Sequence, residues 1–142
     1  MNFRSVGVII SKYSKISHAP PQGKGVSEIR VYDEFSEGLK DIEMFSHLHI
    51  FYWLHGSEGF TLSVKTPWDT KEHGLFATRT PRRPSPIGYA VVELIKRKGN
   101  VLKVRGLDAI DGTKVLDIKP YVPSVDSKAG ANSGWLRRRI KC

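Results

Sequence analysis

Cysteine is nearly absent from this chain of 142 residues, since the single one is Cys142, the last residue of the sequence. One cysteine forms neither an intrachain disulfide nor a cysteine metal cluster, and this usage fits a reducing compartment. The sequence also lacks an apolar stretch approaching the roughly 18 residues of a membrane-spanning helix, and it lacks a charged segment followed by a long apolar core at its beginning. We therefore expect a cytoplasmic protein without a membrane span.

Long helices and glycine-rich phosphate loops are also missing. A dinucleotide-type fold requires a strand, a glycine-rich turn and a long helix in succession, whereas Gly23 and Gly25 follow two prolines instead of a strand. Only residues 35–45 suggest a helical turn or two, and Gly38 weakens helix formation there. The sequence thus argues against a Rossmann-type enzyme and predicts that helices are minor.

Short segments rich in β-branched residues dominate the chain instead. We predict strands at residues 6–10, 27–32, 48–54, 89–96 and 101–107. The Gly99-Asn100 pair between the last two suits the positive φ of a hairpin turn. Because closure removes exposed sheet edges, this pattern favours an all-β fold, a small closed β-barrel with minor helical turns. We expect one barrel domain over residues 1–123 and a basic tail over 124–142.

The charge of the chain is strongly positive. It contains 23 Lys and Arg against 14 Asp and Glu, which gives a formal net charge of +9. Such a balance favours a polyanionic partner, with nucleic acid as the first candidate and an anionic membrane surface as the second. The charge by itself is explained equally well by a basic surface that is exposed to solvent and binds no specific partner.

The most distinctive stretch is the arginine loop, residues 74–88, in which apolar segments predicted to be strands flank three arginines and three prolines. The arginines are Arg79, Arg82 and Arg83, and the prolines are Pro81, Pro84 and Pro86. Proline fixes φ and so stiffens the loop, and a stiff loop holds arginines where they can meet an anion. The arginine loop is therefore expected to be a preorganised binding element.

Three further segments accompany the arginine loop. They are Met44-Phe45-Ser46-His47-Leu48-His49-Ile50, Trp53-Leu54-His55-Gly56 and the stretch 107–121. In this order, and over roughly residues 6–123, they resemble the TrmO, or TsaA-like, family. Its members are S-adenosylmethionine-dependent methyltransferases that modify the exocyclic N6 of threonylcarbamoyladenosine at position 37 of threonine tRNA. The resemblance implies the same catalytic activity here, in a small and commonly dimeric β-barrel that binds tRNA and lacks a Rossmann loop.

The resemblance also implies a set of residues that contact S-adenosylmethionine. These are Pro21, Gln22, Gly23, His55, Gly56, Arg79, Tyr89, Leu107, Asp108, Ile110, Asp111, Gly112 and Thr113. Within this set, we expect Arg79 to pair with the methionine carboxylate and Asp111 to accept from a ribose hydroxyl. Because the cofactor carries an activated methyl group, positioning is the main demand on the protein, and the sequence identifies no catalytic base.

Several of these residues also have an ordinary structural interpretation. A lone histidine after an apolar run, such as His55, is more often a satisfied core residue than a ligand. The pair Asp111-Gly112 is by itself typical of a plain hairpin turn. His47 and His49 share one face of a strand, but no third ligand accompanies them at a suitable spacing, so we predict no metal site.

Contacts with tRNA are expected from arginines and from one aromatic residue. The candidates are Arg82, Arg83, Trp68, Arg137, Arg138 and Arg139. Phosphate neutralisation supplies most of the affinity for nucleic acid, and bases of an anticodon loop can stack on an aromatic face such as that of Trp68. For Tyr52 and Trp53 core packing is the favoured interpretation, and a solvated tail is the alternative for the last three arginines.

One position departs from the family pattern Arg-Pro-Asn-Pro-Ile-Gly, because Ser85 stands where the asparagine is usual. The amide that is lost can both donate and accept hydrogen bonds. Two alternative functions also remain open from the residues. A non-catalytic RNA-binding barrel would use the same loop without binding S-adenosylmethionine, whereas a methyltransferase for another acceptor would keep the cofactor.

Overall fold

The computed structural model describes residues 1–14 and 24–136, and its centre is a closed barrel of six antiparallel strands. The barrel strands are β1 (Gly7–Ile10), β2 (Val26–Val31), β3 (His47–Trp53), β6 (Ile87–Lys98), β7 (Val101–Arg105) and β8 (Lys114–Pro120). Around the barrel they follow the order β1-β2-β7-β6-β3-β8, and β8 pairs with β1 to close it. A separate two-stranded sheet is formed by β4 (Ser63–Lys65) and β5 (Glu72–Gly74). The predicted all-β barrel is confirmed.

The core of the barrel follows from the alternation of side chains along each strand. In β3, Leu48, Ile50 and Tyr52 point inward and are at most 1% exposed. His49, Phe51 and Trp53 alternate with them, face outward and are partly buried. On this outer face Trp53 packs against Phe3 with ring centroids 5.9 Å apart. The nearly continuous apolar run in β3 therefore serves both faces of a barrel strand.

The hairpin between β6 and β7 matches the prediction, because Gly99 adopts a φ of 59° at its turn. The helical expectation for residues 35–45 also holds in part. Two short 3-10 helices, Asp33–Leu39 and Ile42–Met44, form there and are separated by Asp41 in the left-handed region at φ 69°. Strand β7 ends at Arg105, earlier than predicted, because Gly106 leaves the extended region with a φ of 122°.

The apolar segment before the three arginines was expected to be a strand, and this prediction is wrong. Strand β5 ends at Gly74, and Leu75–Ala77 forms a 3-10 helix. The carbonyl of Leu75 accepts hydrogen bonds from both the backbone N–H and the hydroxyl of Thr78, at 3.1 and 2.7 Å. These two bonds turn the chain at the start of the arginine loop.

Beyond β8, the described part of the predicted tail packs against the rest of the protein. Helix α1 (Pro123–Asp126) lies beside β3, and a 3-10 helix covers Gly134–Leu136. Trp135 stacks on His73 with ring centroids 4.0 Å apart and donates its indole N–H to the carbonyl of Ala77. No helix within the described ranges is long and apolar enough to cross a membrane. The proposed boundary at residue 123 stays a prediction.

Candidate functional site

A cavity of about 290 Å³ opens where β3 ends and β6 begins. This volume lies near the lower end of the roughly 300–1,000 Å³ usual for small-molecule sites. Four stretches of chain form its walls, and their lining residues are Tyr52, Leu54, His55, Gly56, Ser57, Thr78, Arg79, Thr80, Pro81, Arg83, Ile87, Gly88, Tyr89, Asp108, Ala109, Ile110 and Thr113. The barrel closure thus brings the His55 motif, the arginine loop and the segment after β7 to one place.

Seven of the residues assigned to the cofactor line this cavity. They are His55, Gly56, Arg79, Tyr89, Asp108, Ile110 and Thr113. His55 is exposed at the rim, so the core interpretation of this histidine does not apply. Pro21, Gln22 and Gly23 lie outside the described residues.

The structure separates the three arginines of the loop. The guanidinium of Arg83 donates to the carbonyls of Thr78 and Thr80, at 3.0 Å each, and thereby holds the loop in shape. Arg79 lines the cavity, is exposed and makes no ion pair within residues 1–14 and 24–136. Arg82 is exposed and does not line the cavity. Arg79 is therefore the loop cation best placed to meet a carboxylate in the cavity.

A buried tyrosine and a glycine shape the wall of the cavity next to the core. Tyr52 is 1% exposed, and its hydroxyl donates a short hydrogen bond to Oδ1 of Asp108. The ring of Tyr52 lies directly over Gly88, where an added Cβ would approach the ring Cδ2 atom to 2.6 Å. Because only glycine leaves room for the ring, Gly88 allows Tyr52 to reach Asp108. A carboxylate has about four acceptor positions, so Asp108 keeps capacity for a further donor.

Three other residues assigned to the cofactor do not reach the cavity wall. Leu107 is fully buried in the barrel core. Asp111 accepts the backbone N–H of Ser11 at 3.0 Å, and Gly112 has a φ of 84° and donates to the carbonyl of Ile9 at 2.9 Å. This geometry is that of a turn fastened to β1, so it supports the structural interpretation of the Asp111-Gly112 pair. A contact between Asp111 and a ribose stays a prediction.

Sequence reasoning missed a hydrogen-bonded chain on the outer wall beside the cavity. The hydroxyl of Tyr89 and Nδ1 of His49 lie 2.9 Å apart, and Nε2 of His49 lies 2.9 Å from Oδ2 of Asp126. The hydrogen bond with His49, followed by one from the backbone N–H of Val122, holds the pKa of Asp126 below its ordinary value. Asp126 is 77 residues from His49 in sequence, so local spacing carried no signal of this contact.

The two histidines of β3 do not act together. His47 Nδ1 contacts Ser46 Oγ at 2.8 Å, whereas His49 belongs to the chain described above. Within the described part of the protein, no group of three or more His, Cys, Asp or Glu is placed to hold a metal ion. The absence of a metal site stays a prediction.

Three of the six residues predicted to meet tRNA lie within the part of the chain that the structure describes. Trp68 is 53% exposed in the turn between β4 and β5. Arg82 is exposed, whereas Arg83 is half-buried in the loop. Arg137, Arg138 and Arg139 lie outside the described residues. Ser85, at the position where the family has asparagine, does not line the cavity, and its carbonyl accepts from the N–H of Ile87 at 2.8 Å.

Comparison with known proteins identifies the family of the chain. Residues 8–127 match the family model of the tRNA-methyltransferase O N-terminal domain. The chain belongs to this family. It is 54% identical over 139 residues to a probable S-adenosyl-L-methionine-binding protein of Archaeoglobus fulgidus, a match that covers 96% of this chain and 38% of that one. The tRNA (adenine(37)-N6)-methyltransferase of Escherichia coli is 34% identical over 151 residues, with 95% and 63% covered.

The family assignment extends to solved structures. The crystal structure of TrmO from Pseudomonas aeruginosa superimposes with a TM-score of 0.79 at 31% identity, covering 94% of this chain and 61% of that chain. The chain therefore spans less than two thirds of the length of these three relatives. The expected resemblance to the TrmO family is confirmed, and what the relatives share with this chain is the barrel domain.

Proposed function

We propose that this protein is an S-adenosylmethionine-dependent tRNA methyltransferase that acts on N6 of adenosine 37. The observation that carries the proposal is the cavity, which combines Arg79 at its rim and the carboxylate of Asp108 with apolar walls from Leu54, Ile87 and Ala109. These groups match those of the cofactor. The cofactor carboxylate needs a cation, its ammonium or ribose hydroxyls need an acceptor, and its adenine needs an apolar surface. The relative named as a probable S-adenosyl-L-methionine-binding protein and the relative named as a tRNA (adenine(37)-N6)-methyltransferase support the same assignment.

When bound, S-adenosylmethionine supplies a methyl group that is already activated on a sulfonium. The contribution of the protein is to orient the acceptor nitrogen and to exclude competing water. Arg79 is suited to fix the carboxylate end of the cofactor, and Asp108 is held in place by the hydroxyl of Tyr52. The Gly88 and Tyr52 contact makes this part of the wall rigid, which favours a reproducible approach geometry.

We further propose that the acceptor is threonylcarbamoyladenosine in threonine tRNA. The net charge of +9 and the exposed Arg82 beside the cavity support binding of a phosphate backbone. Trp68 offers an exposed aromatic face, and the arginines at positions 137–139 follow directly on the 3-10 helix Gly134–Leu136, which packs near the arginine loop. We also propose a cytoplasmic location, where tRNA is abundant.

A homodimer is part of the proposal. The dimer follows from the resemblance to the family described above, and Val91 and Ile95 on β6, each 38% exposed on either side of the Glu93–Arg105 ion pair, are candidate contacts for a second copy. Analytical ultracentrifugation checks this, since a dimer sediments with twice the mass of 16.0 kDa. A monomer at all concentrations would remove the dimer from the proposal and leave the cavity unaffected.

The decisive experiment is a calorimetric titration of the protein with S-adenosylmethionine, followed by methyl transfer to threonine tRNA with and without its threonylcarbamoyl group. Binding together with transfer to the modified tRNA alone is the expected result. Binding without transfer to any tRNA points to a methyltransferase for another acceptor. Failure of the folded protein to bind the cofactor leaves an RNA-binding barrel.

A further inference from the structure

A single aromatic side chain stands out on the surface next to the cavity. Phe76 is 76% exposed, the most of any aromatic residue that the structure describes. It lies on the 3-10 helix Leu75–Ala77, at the beginning of the arginine loop and before its three arginines. A single exposed apolar side chain is common on protein surfaces, so the case for a ligand contact at Phe76 depends on the groups around it.

The position of Phe76 is fixed by the arginine loop itself. The guanidinium carbon of Arg83 lies over the Phe76 ring at 5.9 Å from its centroid, within the distance of a cation–π contact. Arg83 also lines the cavity and donates to the carbonyls of Thr78 and Thr80. One face of the ring is therefore covered by the guanidinium of a residue that lines the cavity, while most of the side chain faces solvent.

The chemistry around Phe76 favours a nucleobase as its occupant. Single-stranded RNA loops are bound by aromatic rings that stack with bases, combined with arginines that neutralise the phosphates. Arg79 and Arg82 supply exposed positive charge within six residues of Phe76. Trp68, by contrast, has no described contact with the arginine loop, although it is also exposed.

We propose that Phe76 is a stacking platform for a nucleotide that flanks the target adenosine in the RNA substrate. In this arrangement the target base approaches the mouth of the cofactor cavity, its neighbour stacks on the exposed face of Phe76, and Arg83 supports the ring from the opposite side. The proposal rests on the proposed RNA methyltransferase function and adds the residue that reads the position next to the reacting base.

The test uses the anticodon stem-loop of threonine tRNA with 2-aminopurine at either nucleotide that flanks the target adenosine. Stacking quenches the fluorescence of this base, so binding to the wild-type protein is expected to quench it at one of the two positions. Phe76→Ala is expected to abolish the quenching and to weaken RNA binding about 5- to 150-fold, the usual effect of removing one base–aromatic stack. Phe76→Tyr is expected to retain both.

Matched variants separate stacking from general effects. Met44→Ala removes an apolar side chain that is 80% exposed near the start of β3, whereas the cavity lies near the end of this strand. This variant is expected to bind RNA with the affinity and the quenching of the wild type. Arg82→Ala is expected to lower the salt dependence of RNA binding, whereas Phe76→Ala leaves the salt dependence unchanged. Affinity for S-adenosylmethionine is expected to stay within about twofold of the wild type in Phe76→Ala.

The outcomes distinguish this inference from the function on which it rests. If the wild-type protein methylates tRNA but Phe76→Ala binds the stem-loop with normal affinity and quenching, the stacking role is wrong and the proposed function stands. A change in oligomeric state caused by Phe76→Ala would assign the residue to an interface between copies and overturn the inference. If the wild-type protein does not bind the stem-loop at all, both proposals fail.

Discussion

Gly88 offers the sharpest test of how the cavity is built, because it pairs with Tyr52 across β6 and β3 and lies under its ring. A Cβ at this position would lie 2.6 Å from Cδ2 and 2.7 Å from Cζ of Tyr52. The ring is 1% exposed and packed against the core on one side, so the space open to it lies toward the cavity that it lines. Gly88→Ala therefore forces a side chain or backbone shift at the cavity wall.

The magnitude follows from two opposing effects. Overpacking of a core costs about 1–3 kcal/mol, while replacing glycine in a strand recovers roughly 0.5–1 kcal/mol of conformational entropy. We expect Gly88→Ala to lower the free energy of unfolding by about 1–2 kcal/mol, which corresponds to a decrease in Tm of roughly 3–8 °C for a domain of this size. Displacement of Tyr52 also weakens its hydrogen bond to Asp108, so affinity for S-adenosylmethionine is expected to fall.

Scanning calorimetry and cofactor titration measure the two effects separately. Gly74→Ala is the matched control, since a Cβ there meets no atom within 4 Å and its φ of −59° suits alanine. Tyr52→Phe keeps the ring and removes the hydroxyl, so it isolates the hydrogen bond to Asp108 from the crowding. A Gly88→Ala protein with the stability and cofactor affinity of Gly74→Ala would refute this account of the cavity wall.

Three further predictions concern charge and the C-terminal contact. Arg79→Ala should weaken cofactor binding by about 1.5–3 kcal/mol without loss of Tm, because the side chain is exposed; unchanged affinity in calorimetry contradicts the carboxylate pairing. Hydrogen bonds to histidine hold the pKa values of Asp69 and Asp126 below 3.8. As the pH decreases, these carboxylates are therefore protonated in the unfolded chain before they are protonated in the folded protein, and the free energy of unfolding should fall below about pH 4. Urea unfolding of the wild type and of Asp126→Asn checks this, and equal pH dependence in both would contradict it. Trp135→Ala removes the stack on His73 and an indole hydrogen bond, so Tm should fall by a few degrees, and an unchanged Tm would show that this contact does not stabilise the fold.

Five of the six barrel strands could be predicted from sequence because their signals are local, whereas β8 was not predicted as a strand. Alternation in β2 buries Ser27, Ile29 and Val31 and leaves the residues between them exposed. The turn at Gly99 is likewise specified by the residues that form it. Patterns with a period of two and a glycine with positive φ need no knowledge of distant chain segments.

The parts that sequence reasoning missed depend on contacts between distant segments. Trp135 stacks on His73 although 62 positions separate them, and His49 meets Asp126 across 77 positions. The strand expected at residues 74–77 failed for a related reason, because the hydroxyl of Thr78 bonds back to Leu75 and ends the extended chain. A local pattern of apolar residues does not reveal a competing side-chain hydrogen bond of this kind.

The arginine loop shows that a sequence motif does not by itself reveal which of several identical residues has which role. Its three arginines carry the same charge and lie in the same stretch of chain. Even so, Arg83 binds two carbonyls of the loop, Arg79 lines the cavity and Arg82 faces solvent. The distinction arises because the carbonyls of Thr78 and Thr80 converge on a single guanidinium, which satisfies them and fixes the loop. Arg83 thereby fixes the backbone from which the exposed side chains of Arg79 and Arg82 extend. Preorganisation of the loop therefore comes from an internal arginine as well as from its prolines.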